Sequence, residues 1–394
     1  MSESSATVPA TATAAATASP RRILLAVLPL FLALQALWKP LGMQAGQAME
    51  WVQFPALLPF AGAAALAAVV GLWPVRTRAT ALVFTALALL AAVAPLGVLA
   101  HTAPATDDRP VWDAGFWLFI AVLAWLAGSS IRRVAQLDLK GAVGTQATAI
   151  LFGLWALVFW QLLVQAFNVP RVLMPAPSQI WQALLASYDT LALDFVQTVL
   201  HAVLIGYAIG CGAGFAVGVL IDRSPFLQRG LLPLSALAST VPLVGIAPIF
   251  VMWFGFDWPS KAAVVAVMTF FPMLVNTLAG LKSAGHMERD LMRSYGAGYW
   301  RTLVLLRIPV ALPFVFNALT INSTLALIGA IVAEFFGSPI SGLGFRISTE
   351  AARLNMPVVW AAILVAAVSG SLLFALLAWA ERRATFWHPS LRKT

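Results

Sequence analysis

One cysteine, Cys211, stands in a chain of 394 residues, and only 10% of those residues are charged. The first scarcity excludes an intrachain disulfide. The second falls far below the roughly 25% charged residues of an ordinary soluble domain. With 61% hydrophobic residues and a mean hydropathy of +0.89, it excludes a soluble globular protein. Lysine never follows glycine, so the Gly-x-x-x-x-Gly-Lys-Ser/Thr loop that cradles nucleotide phosphates is missing. The four histidines, His101, His201, His286 and His388, are scattered, with no His-Glu-x-x-His and no Cys-His cluster to hold a metal. No Gly-x-Ser-x-Gly nucleophile motif occurs either. The net charge of +9 invites a nucleic-acid reading, but the basic residues sit singly or in pairs between apolar runs, without interleaved aromatics. The sequence therefore reads as neither an enzyme nor a nucleic-acid binder, and as binding no cofactor of its own.

What is present is a succession of apolar runs. A helix crossing the hydrocarbon core of a bilayer needs about 20 apolar residues. Ten runs meet or approach that length, at 23–38, 54–73, 79–99, 115–131, 145–167, 194–221, 229–254, 261–281, 310–334 and 355–380. The expected fold is an all-α polytopic membrane protein of about ten transmembrane helices. Lysine and arginine gather in cytoplasmic loops. With a cytoplasmic N-terminus, eighteen basic residues fall inside and six outside (Lys39, Arg109, Arg171, Lys261, Arg346 and Arg353), together the 24 of the chain. Both termini and the 282–310 loop are thus expected inside. Residues 1–22 read as a disordered cytoplasmic tail. The basic-then-apolar order that follows resembles a signal peptide, but Trp38-Lys39-Pro40 replaces the small-residue exit motif and no cleavage is expected. A basic connector at 140–145 divides a four-helix region, 23–140, from a six-helix region, 145–387.

The most informative segment is Lys282 to Pro313, a charged stretch between two membrane-length runs. A helix over 287–295 places Met287, Leu291, Met292 and Tyr295 on one side and Arg289, Asp290 and Arg293 on the other. Gly296 supplies its stop. Such an apolar stripe must bury itself against the parent bundle or against a partner, because water contact forfeits about 25 cal/mol per Å² of apolar surface.

This segment resembles the EAA loop of the membrane subunits of bacterial ABC importers, in which Glu-Ala-Ala is followed by Gly and then by Ile-x-Leu-Pro at fixed spacing. The corresponding positions are Asp290, Leu291, Met292, Gly296, Leu306, Ile308 and Pro309, with Asp for Glu and Leu-Met for the two alanines. Leu173-Met174-Pro175-Ala176-Pro177-Ser178, Phe270-Phe271-Pro272, Asn276, Ala333-Glu334-Phe335-Phe336-Gly337 and Gly342-Leu343-Gly344 are similar to the branch that moves nitrate, taurine, sulfonates and pyrimidine vitamin precursors. The resemblance covers 145–387 and implies a six-helix type I permease core, here preceded by four extra helices. It further implies a coupling loop at 282–310, with Glu288, Asp290, Leu291, Met292, Gly296 and Pro309 meeting a separate ABC ATPase subunit that carries the ATP. A homodimeric pore, a periplasmic or surface solute-binding protein and a bacterial inner-membrane location follow in the same way. Arg289 to Tyr295, Ile321 to Thr324 and Phe345 to Glu350 look closest to members handling thiamine-precursor pyrimidines or riboflavin.

Polar side chains within apolar runs face a bundle interior or a pathway, since an unpaired polar group in hydrocarbon is costly. Gln161, Gln165, His201, Asn276, Asn317, Asn322 and Glu334 qualify, each open to an interhelical hydrogen bond or to solute contact. Asn317 and Asn322 follow the loop directly. Glu334 reads either as an entrance residue or as an interfacial carboxylate paired with Arg346. Pro242 and Pro248 in one run predict a kink, either lining the route or purely structural. Gly206, Gly210, Gly214 and Gly218 share a helix face and predict close helix packing, at a subunit interface or within the chain. An ion-coupled secondary transporter is the alternative class, but it calls for a carboxylate near mid-bilayer and no run carries one there.

Overall fold

The computed structural model describes residues 20–44, 46–72, 77–102, 110–137, 142–224, 226, 243–337 and 341–387. The chain forms two compact units, Met1–Val169 and Pro170–Thr394. Among the described residues seven helices are long and apolar enough to cross a membrane, and they fall on seven of the ten expected runs. Shorter apolar helices, Val27–Trp38, Pro55–Gly71 and Gly245–Phe254, fall on the other three. Residues 1–19 of the expected tail, and 229–242 of the seventh run, lie outside the described residues.

The first unit contains α1 (Pro20–Trp38), α2 (Leu58–Gly71), α3 (Arg78–His101), α4 (Ala114–Ala135) and α5 (Ala142–Ala166). It therefore takes in one helix beyond the connector at 140–145. Alanine dominates its interior, with Ala61, Ala64, Ala67, Ala88 and Ala91 buried, so the helices approach closely around Phe84, Phe116, Phe119 and Trp155. Its polar groups close on one another. Arg133 donates to the Gly71 carbonyl at 2.8 Å and lies over the Phe84 ring, and the Trp155 indole donates to Ser130 Oγ at 3.0 Å. The all-helical expectation passes over one small feature, an antiparallel sheet of β1 (Gly42–Gln44), β2 (Gln47–Met49) and β3 (Val111–Trp112) in the order β2-β1-β3. These strands are three, three and two residues long, too short for a period-two pattern to register.

The second unit opens with α6 (Pro177–Ala186) and with α7 (Tyr188–Phe195), which runs through a π-helical stretch, Val196–Val203, into α8 (Leu204–Arg223). After α9 (Leu243–Phe254) come α10 (Trp258–Lys282), the short α11 (His286–Ser294) and α12 (Tyr299–Thr302), then a second π-helical turn, Leu303–Arg307. That turn leads into α13 (Ile308–Gly337), followed by α14 (Leu343–Ala352) and α15 (Met356–Ala384). Helix α10 is the axis of this unit, packed between α8 and α13. The glycine stripe explains its fit with α8: a Cβ at Gly206 would sit 2.5 Å from the Ala262 carbonyl oxygen, and one at Gly214 2.5 Å from that of Phe270. The stripe thus packs two helices of one chain together. A polar knot pins all three helices, since Asn322 Nδ2 donates to the Thr269 carbonyl at 2.7 Å and to Cys211 Sγ at 3.2 Å, while Tyr207 donates to the Leu319 carbonyl at 2.9 Å.

Candidate functional site

Helix α10 ends, and α13 begins, on the same side of the bundle, so α11 and α12 hang between them at what is here called the loop end. Helix α11 has an extended Gly285 as N-cap, with the Glu288 carboxylate folded back over it in the first turn, where negative charge suits the helix dipole. At the other end Gly296 N donates to the Arg293 carbonyl at 2.9 Å and Ala297 N to that of Met292 at 3.0 Å, a Schellman closure. That closure requires the left-handed backbone found at Gly296, φ 68°. The stripe on α11 is uncovered within the chain: Met287 is 84% exposed, Leu291 56% and Tyr295 79%, and no residue of the helix is buried. Met292 is half-buried, and Asp290 faces solvent beside Arg293 at 3.6 Å.

The flanks of this exposed helix are fixed by a clamp. Arg307 forks onto Asp222 at 2.6 and 2.7 Å and gives two further bonds to the Leu281 carbonyl, at 3.1 and 3.0 Å. One guanidinium thereby joins the ends of α8 and α10 to the start of α13, and the Tyr299 hydroxyl adds a bond to Asp222 at 3.2 Å. Bidentate pairing of this kind fixes orientation as well as distance. Beneath it Leu281, Leu303 and Ala311 form a buried apolar cluster. Pro309, half-buried at the start of α13, lacks the amide that would bond back to Leu305, which accounts for the π turn there. In sequence Arg307 counts only as one more cytoplasmic-side charge, and Asp222 attracts no attention. The available signal is the acidic residue at the very end of an apolar run.

At the far end of the same helices the polar groups are sealed in. Asp194, Thr198, Lys261 and Glu334 are each 2% exposed or less. Three successive amides at the start of α14 are capped: Gly342 N by Asp194 Oδ1 at 2.8 Å, Leu343 N by Thr198 Oγ1 at 2.8 Å and Gly344 N by Glu334 Oε2 at 2.7 Å. Thr198 in turn donates to Glu334 Oε1 at 2.7 Å. Carboxylates at a helix N-terminus are favoured by its dipole and by its unpaired amides. Lys261 does the converse, donating to the carbonyls of Phe256, Asp257 and Gly337, the last of these at the C-terminus of α13. Arg346 pairs with Asp194 at 2.8 Å, so the alternative expectation of a Glu334–Arg346 pair is corrected: Asp194, 152 residues away in the chain, takes that arginine. A cavity of about 450 Å³ opens beside this network, lined by Phe256, Glu334, Phe335, Phe336, Gly337, Phe345, Ser348 and Thr349.

The remaining polar candidates do not converge. Asn322 is buried in the knot described above, whereas Asn317 lies exposed on α13. Asn276 donates to the Pro272 carbonyl of its own helix at 2.8 Å. Pro248 lies exposed within α9, and Pro242 lies outside the described residues.

Long apolar helices in each unit, with the uncovered amphipathic α11 in the second, define a polytopic membrane protein. A family model described as binding-protein-dependent transport system inner membrane component matches residues 206–386, within the second unit. The formylaminopyrimidine transport permease protein ThiX of Halalkalibacterium halodurans is 33% identical over 227 residues, 58% of this chain and 90% of that one. The riboflavin transport system permease protein RibX of Chloroflexus aurantiacus is 29% identical over 253 residues, 63% of this chain and 91% of that one. The taurine transport system permease protein TauC of Escherichia coli is 30% identical over 209 residues, 53% and 71% respectively. The chain belongs to the binding-protein-dependent ABC permeases. It is a multi-pass permease subunit of an ABC importer, non-catalytic itself, in a system whose ATP is hydrolysed by a partner ATPase and whose solute comes from a binding protein. That membership displaces the ion-coupled alternative.

Proposed function

We propose that α11, with Glu288, Asp290, Leu291, Met292, Gly296 and Pro309 in and beside it, is the helix that seats in the ATPase. The single observation that carries this reading is the uncovered stripe of Met287, Leu291 and Tyr295 on a helix none of whose residues is buried. Apolar surface of that kind, rimmed by charge, marks a contact with another protein. The clamp of Arg307, Asp222 and the Leu281 carbonyl then passes any displacement of α11 into α8, α10 and α13 together. The helices of 145–387 form the permease core, two copies of which surround the path, and 23–140 is an accessory region. The loop end faces the cytoplasm, as do both termini, and Pro242, Pro248, Asn276, Asn317, Asn322 and Glu334 border the route. The solute is a small organic molecule of the thiamine-precursor pyrimidine or riboflavin kind, which agrees with the cargoes named for two of the relatives.

The test is Gly296→Trp. A side chain at φ 68° is strained and breaks the Schellman closure, so the variant is expected to insert and extract normally but to lose ATP-driven uptake in proteoliposomes containing the partner ATPase. Undiminished uptake would remove the coupling role from this loop.

A further inference from the structure

The cavity at the far end carries an inference about cargo, which rests on the importer reading with α11 on the cytoplasmic side. Its volume of about 450 Å³ falls in the range of small-molecule sites, roughly 300–1,000 Å³. Four of its walls are phenylalanines, Phe256, Phe335, Phe336 and Phe345. Of these, Phe256 is 63%, Phe335 46% and Phe336 53% exposed, so their ring faces are free to stack. Its charged wall is the carboxylate of Glu334, which at 2% exposure meets the cavity by an edge only.

The balance of charge around that carboxylate decides what the cavity can hold. Glu334 accepts one bond on each oxygen, from Thr198 and from Gly344 N, and a carboxylate has about four acceptor positions, so two remain for a visitor. Lys261, the cation whose field reaches Glu334, turns its ammonium to the carbonyls of Phe256, Asp257 and Gly337, which accounts for all three donors a lysine has. Arg346 is held by Asp194. Among the described residues lining the cavity there is no lysine, arginine or histidine. A sulfonate, nitrate or carboxylate would therefore meet the Glu334 carboxylate with no donor of Lys261 turned toward it and with Arg346 held on Asp194. A flat ring bearing amino or ring N–H donors would stack on the phenylalanines and donate to Glu334.

We propose that this cavity is the outer acceptor site of the permease, and that it takes a flat nitrogen-containing heteroaromatic ring, neutral or cationic, while rejecting small anions. The relatives span both kinds of cargo by name, a formylaminopyrimidine and a riboflavin permease on one side and a taurine permease on the other, so the site sorts this chain among them.

The experiment uses the full chain in lipid nanodiscs with Ser348→Cys as a reporter. The native Cys211 is buried and supplies the unreactive background. Labelling by a membrane-impermeant maleimide is followed with no addition, and with riboflavin, formylaminopyrimidine or taurine at millimolar concentration. Labelling slowed several-fold by either heterocycle and unchanged by taurine supports the site. Labelling unaffected by all three, or slowed by taurine, overturns it. A second variant, Ser348→Trp, fills the cavity: uptake is expected to fall at least tenfold while co-purification with the ATPase stays at the native level, and unimpaired uptake again overturns the proposal. Failure of the native chain to recruit any ATPase would instead strike the importer reading, since the labelling arm needs no ATPase.

Discussion

The two ends of the α8–α10–α13 bundle treat charge in opposite ways. At the loop end the charges of α11 stand in water, with Asp290 and Arg293 side chains 70% and 80% exposed, and only the clamp beneath them is buried. At the far end Asp194, Lys261 and Glu334 are buried and bonded to backbone, with Arg346 also on Asp194 and Thr198 also on Glu334. One end leaves its charged and apolar side chains uncovered, and the other is locked around the start of α14. The contrast also corrects a habit of counting. Lys261 and Arg346 belong to the minority of basic residues expected outside, and neither is a topological charge, because one caps carbonyls and the other is an ion-pair partner.

The comparison breaks most severely at the clamp. Arg307→Ala leaves Asp222, 3% exposed, without its countercharge, and removing one member of a buried pair costs about 3–5 kcal/mol. Thermal unfolding of the purified variant should begin far below that of the native chain, or the protein should fail to accumulate. Arg307→Lys retains the charge but loses the fork, so it should fall between the two. If all three melt together, the buried pair does not brace the loop end. A step down in size comes Gly210→Ala, midway along the bundle. The added methyl meets Thr269 Oγ1 and the Ala266 backbone of α10 inside contact distance, and forcing helices apart in this way costs about 1–3 kcal/mol. Gly212→Ala, on the same helix with nothing within 4 Å, is the control and should melt like the native chain.

Much of this was legible beforehand and some was not, for physical reasons. The long apolar runs forecast the helices because hydrophobic length is a local property, and α11 was legible because amphipathic spacing and a stop glycine are local as well. The ends of α11 at His286 and Ser294 differ from the expected 287–295 by a single residue. What escaped is everything that depends on meeting across the bundle. Asp222 and Arg307 are 85 residues apart, and Thr198 and Glu334 are 136 apart. A sequence shows such residues as isolated charges or hydroxyls, and only the pairing gives them a role. Asn322 makes the same point from the other side, since its polarity within an apolar run was visible but its partners, Thr269 and Cys211, were not.

Smaller effects sharpen the contrast. Asp290→Ala removes an exposed pair with Arg293, of the sort worth at most about 1 kcal/mol, so the melting temperature should hardly move. Its consequence should appear only when the ATPase is present, as weaker co-purification. A large loss of intrinsic stability would mean that α11 is braced by its own chain after all.

The smallest expected effect lies at the far end, where Asp257 caps α10 beyond the membrane-length segment. Its Oδ1 accepts from Gln197 Nε2 at 2.6 Å and from Trp258 N at 2.8 Å, and these bonds, the Gln197 bond foremost, hold its carboxyl below the ordinary aspartate range. A depressed carboxyl contributes stability that is complete above its unfolded value of about 4 and is lost as pH falls through the lower folded value. Because Asp257 is exposed, the contribution is under about 1 kcal/mol. The native chain should therefore lose a little stability in that acid window, and Asp257→Asn should lose less over the same range. Gln197→Leu should move the loss toward pH 4 by removing the foremost bond. A pH profile identical in all three would mean that this cap, unlike the sealed network next to it, contributes nothing to closing the far end.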